Sequence, residues 1–221
     1  MRSSFFICTA RGREAVAVQP ARAQRMRRDA FFFICYNKKE WEDLMMLEME
    51  LKARLNDKSK LKQKLLLEGC KWSGTIVQED VIYVNKDMIQ SINVPVFRIR
   101  KIDNKTILTL KVQAADLNTA RELELEVSDE KIMHQILRTI GFEAKVEVKK
   151  QRTETKYKGF TICIDEVERL GDFIEIEKIG TEDSEKEKEY AEMMCILEGL
   201  EITSKDLVEE KYFEMIQKLE G

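Results

Sequence analysis

Several short stretches of this chain place a charged residue at every second position, with apolar residues between. Glu48, Glu50 and Lys52 alternate with Met49 and Leu51. Arg98 and Arg100 share a parity opposite Phe97 and Ile99, and Lys111 stands between Leu110 and Val112. Glu122, Glu124 and Glu126 alternate with Leu123, Leu125 and Val127. Lys150 and Arg152 share a parity, and Glu175 and Glu177 alternate with Ile174 and Ile176. A strand sends successive side chains to opposite faces, so each stretch predicts a strand with one apolar and one charged face. Any one of them reads equally well as the wet face of an ordinary antiparallel sheet. As a set they have a second solution, a closed barrel whose apolar faces lie outside under helices and whose charged faces line a lumen.

The rest of the sequence predicts enough elements for that. Strands are expected at about Leu47–Leu55, Thr75–Val84, Val94–Lys101, Thr106–Gln113, Arg121–Val127, Ala144–Thr153, Lys156–Val167 and Phe173–Lys178. A short helix is expected over Lys60–Glu68, stopped by Gly69. A second is capped by Ser128 and ends at Gly141, with an apolar stripe of Ile132, Met133, Ile136, Leu137 and Ile140. Two tail helices are expected at about Ser184–Glu198 and Ser204–Leu219. The fold class is therefore α+β: a closed eight-stranded antiparallel β-barrel with flanking helices. Closure would leave no exposed sheet edge.

Charge balance narrows the function. Charged residues make up 36% of the chain, yet the net charge is −3. Such a mixture predicts no general affinity for nucleic acid, so an anion would need a local basic site. No apolar run reaches membrane-span length. Cys8, Cys35, Cys70, Cys163 and Cys195 have neither zinc-knuckle nor CxxC spacing and read as reduced, structural residues of a cytoplasmic protein. There is no P-loop. The single histidine, His134, lies beside the helix stripe and is expected at the surface, without a catalytic role.

Residues 1–44 differ in character. They hold seven of the fourteen arginines, two of the 24 lysines and five of the ten phenylalanines. Trp41-Glu42-Asp43 is compatible with a GGAGG ribosome-binding sequence just before the codons of Met45 and Met46. Residues 1–44 are accordingly expected to be a non-native leader or a disordered extension, 45–180 the barrel, and 181–221 a helical tail packed on it.

A lumen with clustered acids and bases has a chemical use. Carboxylates hold hard divalent cations through oxygen, arginines fork onto phosphate oxygens and lysines add point charge. Together they would offset a triphosphate. The residues that line up with this idea also resemble a known family. Glu48-Met49-Glu50-Leu51-Lys52 is similar to the ExExK signature of CYTH domains, the triphosphate tunnel metalloenzymes. The paired arginines of Phe97-Arg98-Ile99-Arg100, Lys111, the acidic Arg121-Glu122-Leu123-Glu124, Gly141-Phe142 and the basic Lys149–Arg152 follow in the family's order. Asp165-Glu166-Val167-Glu168-Arg169-Leu170-Gly171-Asp172-Phe173-Ile174-Glu175-Ile176-Glu177 resembles its closing hairpin, and the set is most similar to class IV adenylyl cyclases. In that group Gln-x-Asp runs into an aromatic pair, whereas here Val81 and Ile82 follow Asp80 and precede a single Tyr83.

The resemblance implies roles. Glu48, Glu50, Asp165, Glu175 and Glu177 would bind Mg²⁺ or Mn²⁺; Lys52, Lys111 and Arg152 would be catalytic; Arg98, Arg100, Lys150, Glu122 and Glu124 would bind or support substrate. It implies a metal-dependent adenylyl cyclase that converts ATP to cyclic AMP and pyrophosphate, acting as a homodimer. A triphosphatase for inorganic triphosphate, thiamine triphosphate or a nucleotide would need the same charges, and a non-catalytic phosphoanion-binding domain would need the bases alone. No nucleic-acid or membrane partner is expected.

Overall fold

The computed structural model describes residues 46–85, 95–113, 118–180 and 185–220. The expectations for residues 1–44, Met45 and the Ser184 helix start lie outside these. Eight strands close into one barrel: β1 (Met46–Arg54), β2 (Ile76–Val84), β3 (Pro95–Ile102), β4 (Lys105–Gln113), β5 (Thr119–Val127), β6 (Glu143–Tyr157), β7 (Phe160–Val167) and β8 (Gly171–Gly180). Their order around the barrel is β1-β5-β4-β3-β2-β6-β7-β8, and every neighbouring pair is antiparallel. The helices are α1 (Lys58–Leu67), α2 (Glu130–Thr139), α3 (Lys186–Gly199) and α4 (Tyr212–Glu220). None of the described helices is long and apolar enough to cross a membrane.

β1 closes the barrel by pairing on both edges. It meets β8 along Leu47–Arg54 but β5 only along Met46–Met49. The free remainder of that edge is taken by the tail. Arg54 N–H donates to Asp206 O at 2.9 Å, Val208 N–H donates to Lys52 O at 2.8 Å, and Ala53 bridges Leu207. This corrects the expectation of a tail helix from Ser204: residues before Tyr212 latch onto β1, and α4 starts only afterwards.

Two other expectations shift. β6 runs 15 residues, through the break expected near residue 154, and turns at Lys158-Gly159 instead. Both of these residues have positive φ, 50° and 85°, as a two-residue type I′ hairpin requires. Asp129, not Ser128, caps α2, its carboxylate accepting from Ile132 N–H at 3.0 Å.

The outward apolar parities form two cores. Met49, Leu51 and Ala53 of β1 join Ile162, Ile164, Ile174 and Ile176 beneath Leu61 and Leu65 of α1 and Met193 and Leu197 of α3. Each buried Leu, Ile or Met side chain among them contributes about 1.5–3 kcal/mol. On the far side, Leu137 and Met133 of α2 pack with Tyr83, Ile99, Leu108 and Phe142. The α2 stripe is split, however. Leu137 is 2% exposed, whereas Ile132 is 59% and Ile136 and Ile140 are each 45% exposed.

The third core lies at one end of the interior. Ile82, Val148 and Phe173 share the parity of the inward Asp80, Lys150 and Glu175, and they pack against Tyr212, Met215 and Ile216 of α4. The interior is thus apolar and filled by α4 at one end, and charged elsewhere.

Candidate functional site: a charged barrel lumen

The inward parities converge on one cavity of about 370 Å³. Because β8 flanks β1, Glu177 lies opposite Glu50 and Glu175 opposite Lys52. Carboxylate oxygens of Glu50, Glu175 and Glu177 come within 4.8 Å of one another. Burial pushes Glu177 up to about 7, against the pull of Arg152. Glu50 is equally buried, but Lys111, Lys52 and Arg152 overcome that and hold it near 2. Three carboxylates at this spacing, offering oxygen alone, suit a hard divalent cation.

The opposite wall is a chain of ion pairs. Lys111 Nζ lies 2.5 Å from Glu122 Oε1, 2.9 Å from Glu48 Oε2 and 3.8 Å from Glu50 Oε2. Burial disfavours the Lys111 ammonium, but Glu50, Glu48 and Glu122 raise its pKa nonetheless. Burial pushes Glu48 up to about 8, against the pull of Lys111. Arg98 reaches Glu124 at 3.1 Å and Glu122 at 3.8 Å, and it also donates to Thr109 Oγ1 at 3.1 Å. Arg100 forks onto Asp80 through two bonds of 2.7 Å.

A third group centres on Asp165, which is fully buried. Lys150 Nζ donates to it at 2.6 Å, Arg152 through two bonds of 2.7 Å, and the Tyr212 hydroxyl at 3.1 Å. Arg152 also reaches Glu177 at 3.0 Å and pairs with Glu175.

This succession of acids and bases on strands closed into a barrel has counterparts among known proteins. The model of the CYTH domain family matches residues 46–212. The chain belongs to the CYTH domain family. A Methanocaldococcus jannaschii protein, named as a candidate adenylate cyclase, is 32% identical over 172 residues, spanning 77% of this chain and 98% of its own. Two solved structures from Pyrococcus horikoshii OT3 share the barrel. One is 28% identical with a TM-score of 0.67, over 78% of this chain and 99% of its own. The other is 29% identical with a TM-score of 0.64, over 76% and 98%.

Twelve of the thirteen residues singled out in the sequence line the CYTH lumen, and Asp165 touches it through Lys150 and Arg152, but the groups are not those expected. Glu50, Glu175 and Glu177 come together. Glu48 leaves them for Lys111 and Glu122, and Asp165 is occupied by Lys150, Arg152 and Tyr212. Lys52 lies 3.9 Å from Glu50, with its ammonium 4.7 Å from the centre of the Tyr212 ring. Glu124 is the most exposed of the set, its side chain 37% accessible.

Sequence reasoning gave no site role to Asp80, Thr109, Lys211 or Tyr212, yet all four touch or line the lumen. Asp80 was findable, since it shares the inward parity of its strand. The two tail residues were hidden by reading the tail as helix from Ser204. His134 lies outside the lumen and is partly covered. Its Nδ1 meets the Tyr83 hydroxyl at 2.6 Å and its Nε2 meets Glu130 at 3.0 Å. Cys70 and Cys163 are buried, whereas Cys195 is exposed rather than packed.

Proposed function

We propose that this CYTH barrel is a class IV-type adenylyl cyclase that converts ATP to cyclic AMP and pyrophosphate. The observation that carries the reading is the sharing of one lumen by the Glu50–Glu175–Glu177 cluster and six barrel cations, Lys52, Arg98, Arg100, Lys111, Lys150 and Arg152. The M. jannaschii relative, matched over nearly its whole length, adds weight to cyclisation.

Glu50, Glu175 and Glu177 would hold Mg²⁺ or Mn²⁺, with Glu48 close by on the same strand face. The bound cation supplies positive charge and Lewis acidity at the reacting phosphoryl group. Arg98, Arg100 and Lys150 bind the phosphates through the N–H donors that their carboxylate partners leave free. Lys52, Lys111 and Arg152 stabilise the charge that develops on the leaving pyrophosphate. Glu122 and Glu124 orient Lys111 and Arg98, and Asp165 holds Lys150 and Arg152 in place. The bond from the ribose O3′ to the α-phosphorus forms as the bond to the pyrophosphate oxygen breaks, and the hydroxyl proton passes to water.

The same reading has the protein acting in the cytoplasm as a homodimer. The deciding experiment incubates the protein with ATP plus Mg²⁺ or Mn²⁺ and resolves the products. Cyclic AMP with pyrophosphate supports cyclisation. ADP with orthophosphate would overturn it in favour of hydrolysis in the same lumen.

A further inference from the structure

Six of the seven cations around the lumen come from barrel strands, and each has a carboxylate within ion-pair distance. The seventh, Lys211, comes from the tail. Among the described residues no carboxylate lies within ion-pair distance of its ammonium. Burial and then Lys111 lower its pKa, with Lys52 adding to them, while Glu214 and Glu50 pull the other way from beyond ion-pair distance. Removing a charged amine from water without a partner is unfavourable, so the fold holds this group in place against its own electrostatics.

The way it is held is specific. On one side the 206–208 segment is tied to β1 by the two backbone bonds at Arg54 and Lys52. On the other side Tyr212 is locked by its hydroxyl on Asp165, while the ammonium groups of Lys52 and Lys150 lie 4.7 and 5.1 Å from its ring centre. Lys211's own backbone N–H donates to Glu214 Oε2 at 2.8 Å. Lys211 therefore sits between two anchored points, lines the same cavity as the phosphate-binding arginines and lacks the anion that every other lumen cation has.

We propose that Lys211 is a substrate-binding residue, and that the anion it lacks is a phosphate group of the nucleoside triphosphate. This rests on reading the lumen as a triphosphate site. The barrel cations already spend part of their charge and donors on a carboxylate. Lys211 commits none, so it binds the incoming anion at the least cost among them. Tyr212 is then a positioning residue, and the tail belongs to the binding site as well as to the outer packing.

The test is calorimetric titration of the full chain with the α,β-methylene analogue of ATP, which blocks cyclisation, in the presence of Mg²⁺. Lys211→Met keeps most of the apolar stem and should weaken binding roughly 10- to 100-fold, the loss of one hydrogen bond to a charged group. Lys211→Arg restores the charge and should bind within about threefold of the parent, an outcome that a packing role alone would not give. The melting temperature of Lys211→Met should equal or exceed that of the parent, because a repelled charge has gone. If the parent binds and Lys211→Met binds as tightly, the assignment of Lys211 is overturned while the triphosphate reading stands. If the parent fails to bind the analogue at all, the triphosphate reading falls, and this assignment with it.

Discussion

Arg152 and Asp165 face each other directly across β6 and β7 and are joined by two parallel hydrogen bonds of 2.7 Å, Nε to Oδ1 and Nη2 to Oδ2. This fork is the fixed point of the lumen. Asp165 is wholly buried and also takes Lys150 and Tyr212, so one carboxylate ties two barrel cations to the tail. In the proposed reaction a cation fixed in this way would already be oriented, with little rearrangement left to make.

Removing that carboxylate should be destabilising. Asp165→Ala leaves Lys150 and Arg152 short of their shared partner in a buried site, a change that typically costs about 3–5 kcal/mol. Chemical denaturation should show a fall of that order. A loss under about 1 kcal/mol would mean that Glu175 and Glu177 compensate fully, and that the fork is not the fixed point.

The lumen acids predict a pH dependence for the metal-free protein. Burial raises Glu48 to about 8 and Glu177 to about 7, from an ordinary value of 4.5. Between about pH 4.5 and 8 the folded chain therefore keeps protons that the unfolded chain has released. Stability falls as pH rises through that window. Glu50 and Glu122 act oppositely. Both are buried, yet Lys111 with Lys52 in one case and Lys111 with Arg98 in the other hold them near 2. Their contribution is present above pH 4.5 and is lost as pH falls toward 2. In EDTA the melting temperature should decline from pH 5 to pH 8. Mg²⁺ or Mn²⁺ should raise it more at pH 8 than at pH 5, because the cation binds the ionised cluster. A flat or rising profile in EDTA would contradict the assigned burial of these acids.

Parity made the lumen legible: each charged residue's face follows from its place in a period-two strand, and those faces needed no knowledge of neighbours. Partnership did not follow. Glu48 and Glu50 share a strand and a face, yet one joins Lys111 and Glu122 and the other joins Glu175 and Glu177. Which acid meets which base depends on barrel stagger, and stagger is set by pairings between strands far apart in sequence. The tail was illegible for a related reason. The 206–208 segment is extended because a free stretch of β1 edge binds it, and nothing local in its sequence reports that edge.

The assembly makes a separate prediction. As a homodimer, the protein should give twice the chain mass of 25.9 kDa in light scattering at micromolar concentration. A monomer at that concentration would remove the dimer without touching the lumen chemistry, since every residue assigned to the lumen comes from one chain.

The sharpest test separates the acid cluster from the phosphate cations. Glu50→Gln keeps the size and hydrogen-bonding reach of the side chain but removes one negative charge from the Glu50–Glu175–Glu177 cluster. If this cluster holds the cation, turnover should fall by about 100-fold or more, and raising the metal concentration should recover part of it. Arg100→Ala removes a guanidinium that forks onto Asp80 and is proposed to fork onto phosphate. Its loss should cost roughly 10- to 100-fold in kcat/KM for each charge-assisted bond, and added metal should not restore it. Stability should fall in both. Arg100→Ala strands the Asp80 carboxylate, which is buried, and should lower the melting temperature. Glu50→Gln loses the attraction of Lys111, Lys52 and Arg152 that holds this acid near 2, and should lower stability in EDTA above about pH 4.5. If Glu50→Gln keeps activity within a few-fold of the parent at low metal concentration, the cluster does not hold the catalytic cation. The alternating acids of β1 and β8 would then serve only to balance the lumen's bases.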